Sequence, residues 1–156
     1  MQQEMNHKRW AIVFWILTAI CMAVIFSFSA KPAEESTQQS NVFVQWLLQL
    51  FGENEYWEFI VRKSAHCLEF TGLSLLMNTA LYFTKNKKQF LWGIFGTSLY
   101  AVTDELHQLR IDGRSCQFTD WVIDTVGALL GAAAFAVLFA IIKAVMNKKN
   151  SKRTNK

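Results

Sequence analysis

The sequence lacks the short motifs that identify several common catalytic sites. It has no Gly-x-Ser-x-Gly turn, no His-Glu-x-x-His pair, no phosphate-binding glycine-rich loop and no Pro-Ser-Gly-His stretch. No module typical of nucleic-acid binding is present either, so we expect no nucleic-acid partner. These absences argue against a serine nucleophile. Any catalysis would depend on general acid–base or metal chemistry.

Proline and cysteine are scarce in this chain. Pro32 is the single proline in 156 residues, and the three cysteines, Cys21, Cys67 and Cys116, have no metal-type spacing. We interpret the cysteines as packing residues rather than as a disulfide pair. Hydrophobic residues, in contrast, make up 52% of the chain. This composition predicts a single small integral membrane domain rather than a soluble one.

Four apolar segments are long enough to cross a membrane as helices. Residues 10–30 form an uncharged run of 21 residues, which as a helix crosses a hydrocarbon core of about 30 Å. The other three segments, residues 64–83, 90–108 and 118–146, carry ionisable groups. The sequence therefore predicts an all-α integral membrane protein, a bundle of four transmembrane helices.

Basic residues lie on one side of this four-span arrangement. They precede the first span, lie between the second and third spans, and follow the fourth. The opposite loop, residues 31–61, holds one lysine against five glutamates. Because lysine and arginine mark the cytoplasmic side, we expect a multi-pass protein of the cell membrane with both termini in the cytoplasm. Residues 1–9 and the basic tail 148–156 would then flank a membrane domain at 10–147.

The loop between the first two spans contains a short apolar segment. Pro32 stops the first helix, residues 36–40 are polar, and Asn41 can cap a new helix. A helix over residues 42–51 would have only ten residues, so we expect it to lie at the outer membrane interface instead of spanning. An anchor and a lid are both consistent with it, and the anchor is the simpler interpretation.

Polar residues recur at helical spacing at one end of three spans. Under the topology above, all three rows meet at the extracytoplasmic end. An ionisable side chain costs about 2.5–3.5 kcal/mol at mid-bilayer, so such residues usually face protein or water. The rows are Arg62, His66 and Glu69; Thr97, Tyr100, Asp104, His107 and Gln108; and Asp120 and Asp124.

Two glycines share a helix face with the aspartates of the fourth span. Gly127 and Gly131 follow Asp120 and Asp124 at helical spacing. A Gly-x-x-x-Gly pair allows two helix backbones to approach closely. We therefore expect this face to pack against another helix and to carry the aspartates into the bundle.

The rows place two histidines next to carboxylates, which suggests acid–base or metal chemistry. His66 with Glu69, and Asp104 with His107, each share a helix face, and these four residues are the candidate catalytic residues. If a divalent metal is bound, the same four residues are its candidate ligands. The pattern is compatible with a metal without requiring one.

An anion-binding role needs no metal. Basic groups at the rim would hold a phosphate or carboxylate, and the phosphates of outer-leaflet lipids are the nearest such anions. A network of interhelical ion pairs that only stabilises the bundle is the structural alternative. The candidate binding or network residues are Arg62, Lys63, Glu105, Gln108, Arg114, Asp120 and Asp124.

Taken together, these sequence blocks resemble the VanZ-like family. They are Arg62-Lys63-Ser64-Ala65-His66-x-x-Glu69-Phe70, Tyr100-Ala101-x-x-Asp104-Glu105-x-His107-Gln108, Gly113-Arg114-Ser115, Asp120-x-x-x-Asp124-x-x-Gly127-x-x-x-Gly131 and Phe28-Ser29-x-x-Pro32-x-x-x-Ser36. The resemblance covers the chain from Trp10 to about Met146. One departure is Asp112, where members often have proline, and another is the pair Leu109 and Arg110, which replaces a more apolar pair.

The resemblance implies a small multi-span bacterial envelope protein, in a family named for a member that lowers susceptibility to the glycopeptide teicoplanin. Three classes of function follow. The first is binding or processing of an anionic outer-leaflet lipid or lipid-linked cell-wall intermediate, with an influence on glycopeptide susceptibility. The second is a non-catalytic envelope interaction protein with a structural polar cluster. The third is a proton-coupled carrier, against which the nearly uncharged inner halves of the spans argue. Enzyme and binding protein are not distinguished by the sequence, nor is the oligomeric state.

Overall fold

The computed structural model describes residues 2–154, with side chains over residues 4–149. Within that range the chain forms five α-helices and no strand, which confirms the all-α prediction. The helices are α1 (Gln2–Ser29), α2 (Ala33–Phe51), α3 (Trp57–Lys85), α4 (Phe90–Gln108) and α5 (Phe118–Thr154).

The helix bounds agree with the predicted spans most closely at α4. The other three helices continue past their apolar runs: α1 begins at Gln2, α3 begins at Trp57, and α5 continues to Thr154. Backbone hydrogen bonding continues into polar sequence, so a helix need not end where hydropathy falls. The predicted terminal segments 1–9 and 148–156 are therefore helical where described, while residues 1, 155 and 156 lie outside the described range.

The predicted start of the outer helix is wrong. α2 begins at Ala33, so Asn41 lies inside the helix and does not cap it. Pro32, at φ −54° and ψ 153°, is the N-cap, and its carbonyl accepts a 3.1 Å hydrogen bond from the backbone N–H of Ser36. A proline that ends one helix can thus begin the next, because its missing N–H is not needed there.

The polar stretch at residues 36–40 is helical as well. Glu34 and Glu35 lie in the first turn of α2, where negative side chains interact favourably with the positive end of the helix dipole. The Ser40 hydroxyl donates to the Ser36 carbonyl at 3.1 Å, which satisfies it inside the helix. α2 ends at Gly52, at φ 82°, as expected. The outer helix is therefore 19 residues long, and none of them is buried.

Two of the helices are long and apolar enough to cross a membrane. The segments are Glu4–Ser29 of α1 and Phe118–Lys149 of α5, judged by length and composition over the described residues. α3 and α4 do not meet the same criterion. Both carry several ionisable side chains near one end, which lowers their mean hydropathy.

α3 lies at the centre of the bundle and contacts each of the other four helices. The buried core comprises Ile25 of α1, Phe70 and Leu73 of α3, and Ala101 of α4. α5 packs along α3 through its two glycines, as expected. A Cβ atom at Gly127 would clash with the Cys67 carbonyl oxygen, so the two backbones lie too close for any larger residue.

Candidate functional site

One end of the bundle brings together residues from α2, α3 and the loop between α4 and α5. Two adjoining cavities open there, with volumes of about 90 Å³ and about 240 Å³. Both are lined by Ser36, Arg62, His66 and Arg114. We call these two spaces together the polar cavity.

The predicted site residues divide into two groups around the polar cavity. Beyond Arg62, His66 and Arg114, the lining includes Gln108 and Asp120 in the smaller space and Glu69 in the larger one. The remaining predicted residues lie behind or beside this lining. They are Lys63, Asp104, Glu105, His107 and Asp124.

The two arginines face the polar cavity without a carboxylate partner. Arg114 donates from Nε to the Lys31 carbonyl at 2.9 Å and from Nη2 to the Phe28 carbonyl at 3.4 Å. These carbonyls lie at the C-terminal end of α1, where a cation is favourable. Among the described residues, neither Arg62 nor Arg114 forms an ion pair. Neither positive charge is therefore neutralised by a direct ion pair with a described residue.

The pKa of Arg114 responds to its surroundings, including the positive charge of Arg62. Desolvation lowers the pKa of Arg114; the Asp104 carboxylate opposes this change, and the positive charge of Arg62 adds to it. The loop that carries Arg114 turns at Gly113, at φ 73°. It is tied to α2 by the Ala33 N–H, which donates to the Asp112 carbonyl at 3.3 Å. An anion between the arginines would relieve their mutual repulsion.

Lys63 forms a buried ion pair instead of a rim contact. Its Nζ atom contacts the Asp120 carboxylate, and the two residues are only 8% and 7% exposed. The Nζ atom also lies 5.3 Å from the centre of the Phe59 ring. Lys63 is thus neutralised inside the protein, which distinguishes it from Arg62 one residue earlier.

His66 is adjacent to a buried carboxylate on another helix. Its Nδ1 atom lies 3.6 Å from Oδ1 of Asp124, which is completely buried on α5. Neither carboxylate oxygen of Asp124 has a hydrogen-bond partner among the described residues. The sequence paired His66 with Glu69 on its own helix; the structure adds Asp124 as a closer neighbour across the α3–α5 interface.

Asp104 and His107 have different surroundings although they are three residues apart. Asp104 Oδ2 accepts hydrogen bonds from Ser29 Oγ at 2.7 Å and from Gln108 Nε2 at 3.1 Å. The His107 ring stacks on Phe26 at 4.3 Å, and its buried Nε2 atom has no hydrogen-bond partner in the described part of the chain. The structure therefore does not bring His107 into the polar cavity.

Sequence reasoning missed two serines. Ser29 binds Asp104, and Ser36 lines both parts of the polar cavity. Both serines belong to the block around Pro32 that contributed to the family resemblance. That sequence block could have pointed to both serines. Because one helix ends and the next begins within it, the residue spacing does not assign the two serines to a common helix face.

Glu105 supports the loop before α5. Its Oε2 atom accepts a 2.9 Å hydrogen bond from the Gln117 backbone N–H, just before the helix begins. Partial desolvation, followed by the Glu105 carboxylate, raises the pKa of the exposed Cys116 thiol in the same loop. In the part of the chain that the structure describes, no three His, Cys, Asp or Glu side chains are grouped as a metal site.

A family model described as VanZ/LLP1 matches residues 14–141. The match includes well over half of the chain and every residue that lines the polar cavity. Searches of curated proteins and of solved structures gave no match.

Proposed function

The chain belongs to the VanZ/LLP1 family, and we propose that it is a multi-pass envelope protein that binds an anionic group in the polar cavity. Membership of this family suggests an envelope protein associated with glycopeptide resistance. The proposed ligand is the phosphate or carboxylate of an outer-leaflet lipid or lipid-linked cell-wall intermediate. Through that ligand the protein would influence susceptibility to teicoplanin.

The surface of α4 supports a membrane location beyond the two candidate spans. Leu91, Phe95, Leu99 and Leu106 lie along one side of the helix and are 53–82% exposed. The acidic residues Asp104 and Glu105 of the same helix are buried inside the bundle. An apolar outer face with polar groups turned inward suits lipid better than water. We therefore retain four spans as part of the proposal.

The distribution of charge supports an extracytoplasmic location for the polar cavity. The first turns of α1, the loop between α3 and α4 and the last turns of α5 lie at the opposite end and carry most of the lysines. This basic end would face the cytoplasm. The polar cavity would then open toward the outer leaflet, where anionic headgroups are available.

The single observation that carries the binding proposal is the pair of arginines that line one cavity and have no carboxylate partner among the described side chains. Guanidinium groups suit phosphates and carboxylates because they present several donors in one plane. Ser36, His66 and Gln108 add further polar groups to the lining. The cavity volumes of about 90 and 240 Å³ fit a headgroup rather than a whole lipid.

The Lys63–Asp120 pair favours a structural role for part of the predicted site. Lys63 does not line the cavity, and Asp120, which does, is already neutralised by it, so this buried ion pair can stabilise the bundle without acting on any ligand. In a non-catalytic envelope interaction protein, the buried polar residues would need only to stabilise the bundle in this way. The carrier alternative has less support, because the buried polar side chains deeper in α3, Ser74 and Asn78, are uncharged.

Binding of a short-chain phosphatidic acid to the detergent-purified protein tests the proposal. Native mass spectrometry should show bound lipid on the wild type and less of it on Arg62→Gln and Arg114→Gln. A lost charge-assisted contact costs about 1.5–3 kcal/mol, which is roughly 10- to 150-fold in affinity. Arg110→Gln is the matched control, because Arg110 is exposed in the same loop and does not line the cavity. Equal binding by all four proteins would contradict the proposal.

A further inference from the structure

At the end opposite the polar cavity, α1, α3 and α5 line a cleft. Its volume is about 780 Å³, within the range of small-molecule sites. The Phe14 ring of α1 stacks on Phe83 of α3 at 5.6 Å, and Phe139 of α5 meets Tyr82 edge-on at 4.9 Å. We call this space the α1–α5 cleft. Its walls are mainly apolar and aromatic.

The length of the α1–α5 cleft is comparable to one leaflet of a bilayer. Along α5 its lining runs from Phe135 to Asn147, and the part between Phe135 and Lys143 covers about 12 Å at 1.5 Å per residue. Half of the hydrocarbon core is about 15 Å. A chain that lies in the cleft with its headgroup at Lys143 would therefore cross most of a single leaflet.

The rim of the α1–α5 cleft is cationic. Lys143 belongs to the lining, and Lys88 Nζ lies 4.6 Å from the centre of the Phe139 ring. Of the twelve acidic residues in the chain, only Glu4 is at this end. An apolar cleft with basic residues at its mouth matches an amphiphile with a long chain and a negative headgroup.

We propose that the α1–α5 cleft binds one acyl chain of an anionic phospholipid of the cytoplasmic leaflet, with its phosphate near Lys143 and Lys88. This inference depends on the membrane location given under the proposed function, but not on the polar cavity. A second copy of the chain is a poorer occupant. A symmetric contact through this cleft would place two like-charged basic rims against each other.

Native mass spectrometry with added phosphatidylglycerol or phosphatidylcholine, in the same detergent, tests the inference. The wild type should retain one phosphatidylglycerol in the cleft, in addition to any bound in the polar cavity, and much less phosphatidylcholine. Leu138→Trp, which fills the cleft, should lower the number of retained phosphatidylglycerol molecules by one, whereas Leu130→Trp should not, because Leu130 is a comparably exposed leucine of α5 outside the cleft. Lys143→Gln should weaken retention about fivefold, the effect of about one interfacial charge. Lys149→Gln, also exposed on α5, is its control.

Several results would contradict lipid binding in the α1–α5 cleft. Wild-type retention by Leu138→Trp with an unchanged melting temperature would overturn the inference, as would equal retention of the two lipids. A dimer that Leu138→Trp dissociates would assign the cleft to a second copy. An Arg62→Gln/Arg114→Gln double variant should still retain phosphatidylglycerol. If that variant loses the lipid while Leu138→Trp keeps it, the lipid occupies the polar cavity and only the cleft inference fails.

Discussion

The buried Lys63–Asp120 pair allows a quantitative prediction about the stability of the bundle. Both residues are more than nine-tenths buried, so removing either partner leaves an uncompensated charge inside the protein. Breaking such a pair typically costs about 3–5 kcal/mol, whereas replacing both partners with apolar residues is often neutral or stabilising. We therefore expect Lys63→Met and Asp120→Leu each to destabilise the protein strongly, and the double variant to recover most of the loss.

Thermal unfolding in detergent, followed by circular dichroism, measures these effects. For a chain of this size, 1 kcal/mol corresponds to roughly 2–4 °C, so each single variant should melt about 6–20 °C below the wild type. Lys148→Met is the control, because Lys148 is exposed near the end of α5. Losses below about 1 kcal/mol for both single variants, or a double variant that loses the sum of the two, would refute the assignment of a buried ion pair.

Two further predictions concern the loop and the α3–α5 interface. The Glu105 carboxylate contributes to the raised pKa of Cys116, so maleimide labelling of that thiol should be slow near pH 7 and should accelerate as pH rises. Labelling at neutral pH should be faster in Glu105→Gln, and an unchanged rate in this variant would exclude the contribution of Glu105. Gly131→Ala should lower the melting temperature by the equivalent of about 1–3 kcal/mol, since its added Cβ would meet the α3 backbone. Gly72→Ala, whose Cβ would meet no atom within 4 Å, should have little effect, and equal losses in the two variants would contradict close packing at Gly131.

Several features could be predicted from the sequence because they depend on one helix at a time. Hydropathy gave the bounds of α4, and 3.6-residue periodicity grouped polar residues on one side of each of α3, α4 and α5. The glycine pair on α5 identified a face of close helix packing, and Gly127 lies against α3 as expected. Each of these inferences needs only local spacing.

Contacts between helices could not be predicted in the same way, since they depend on how each helix is rotated about its axis. The pairing of His66 with Asp124 joins two helices, and no local spacing encodes it. Even within one helix, residue spacing did not predict the different contacts of Asp104 and His107. Side chains three residues apart diverge by about 60° around the axis. Consequently, one binds Ser29 while the other stacks on Phe26.

The proposed function requires the polar cavity to open on the outer side of the membrane, where anionic lipid headgroups are present. Cys116 tests it directly, because this exposed thiol lies between two residues that line the cavity, Ser115 and Gln117. Intact spheroplasts should be treated at pH 8 with a membrane-impermeant maleimide. We expect Cys116 to be labelled without permeabilisation and the signal to disappear in Cys116→Ser. Labelling of Cys116 only after the membrane is permeabilised would place the polar cavity in the cytoplasm and contradict the account.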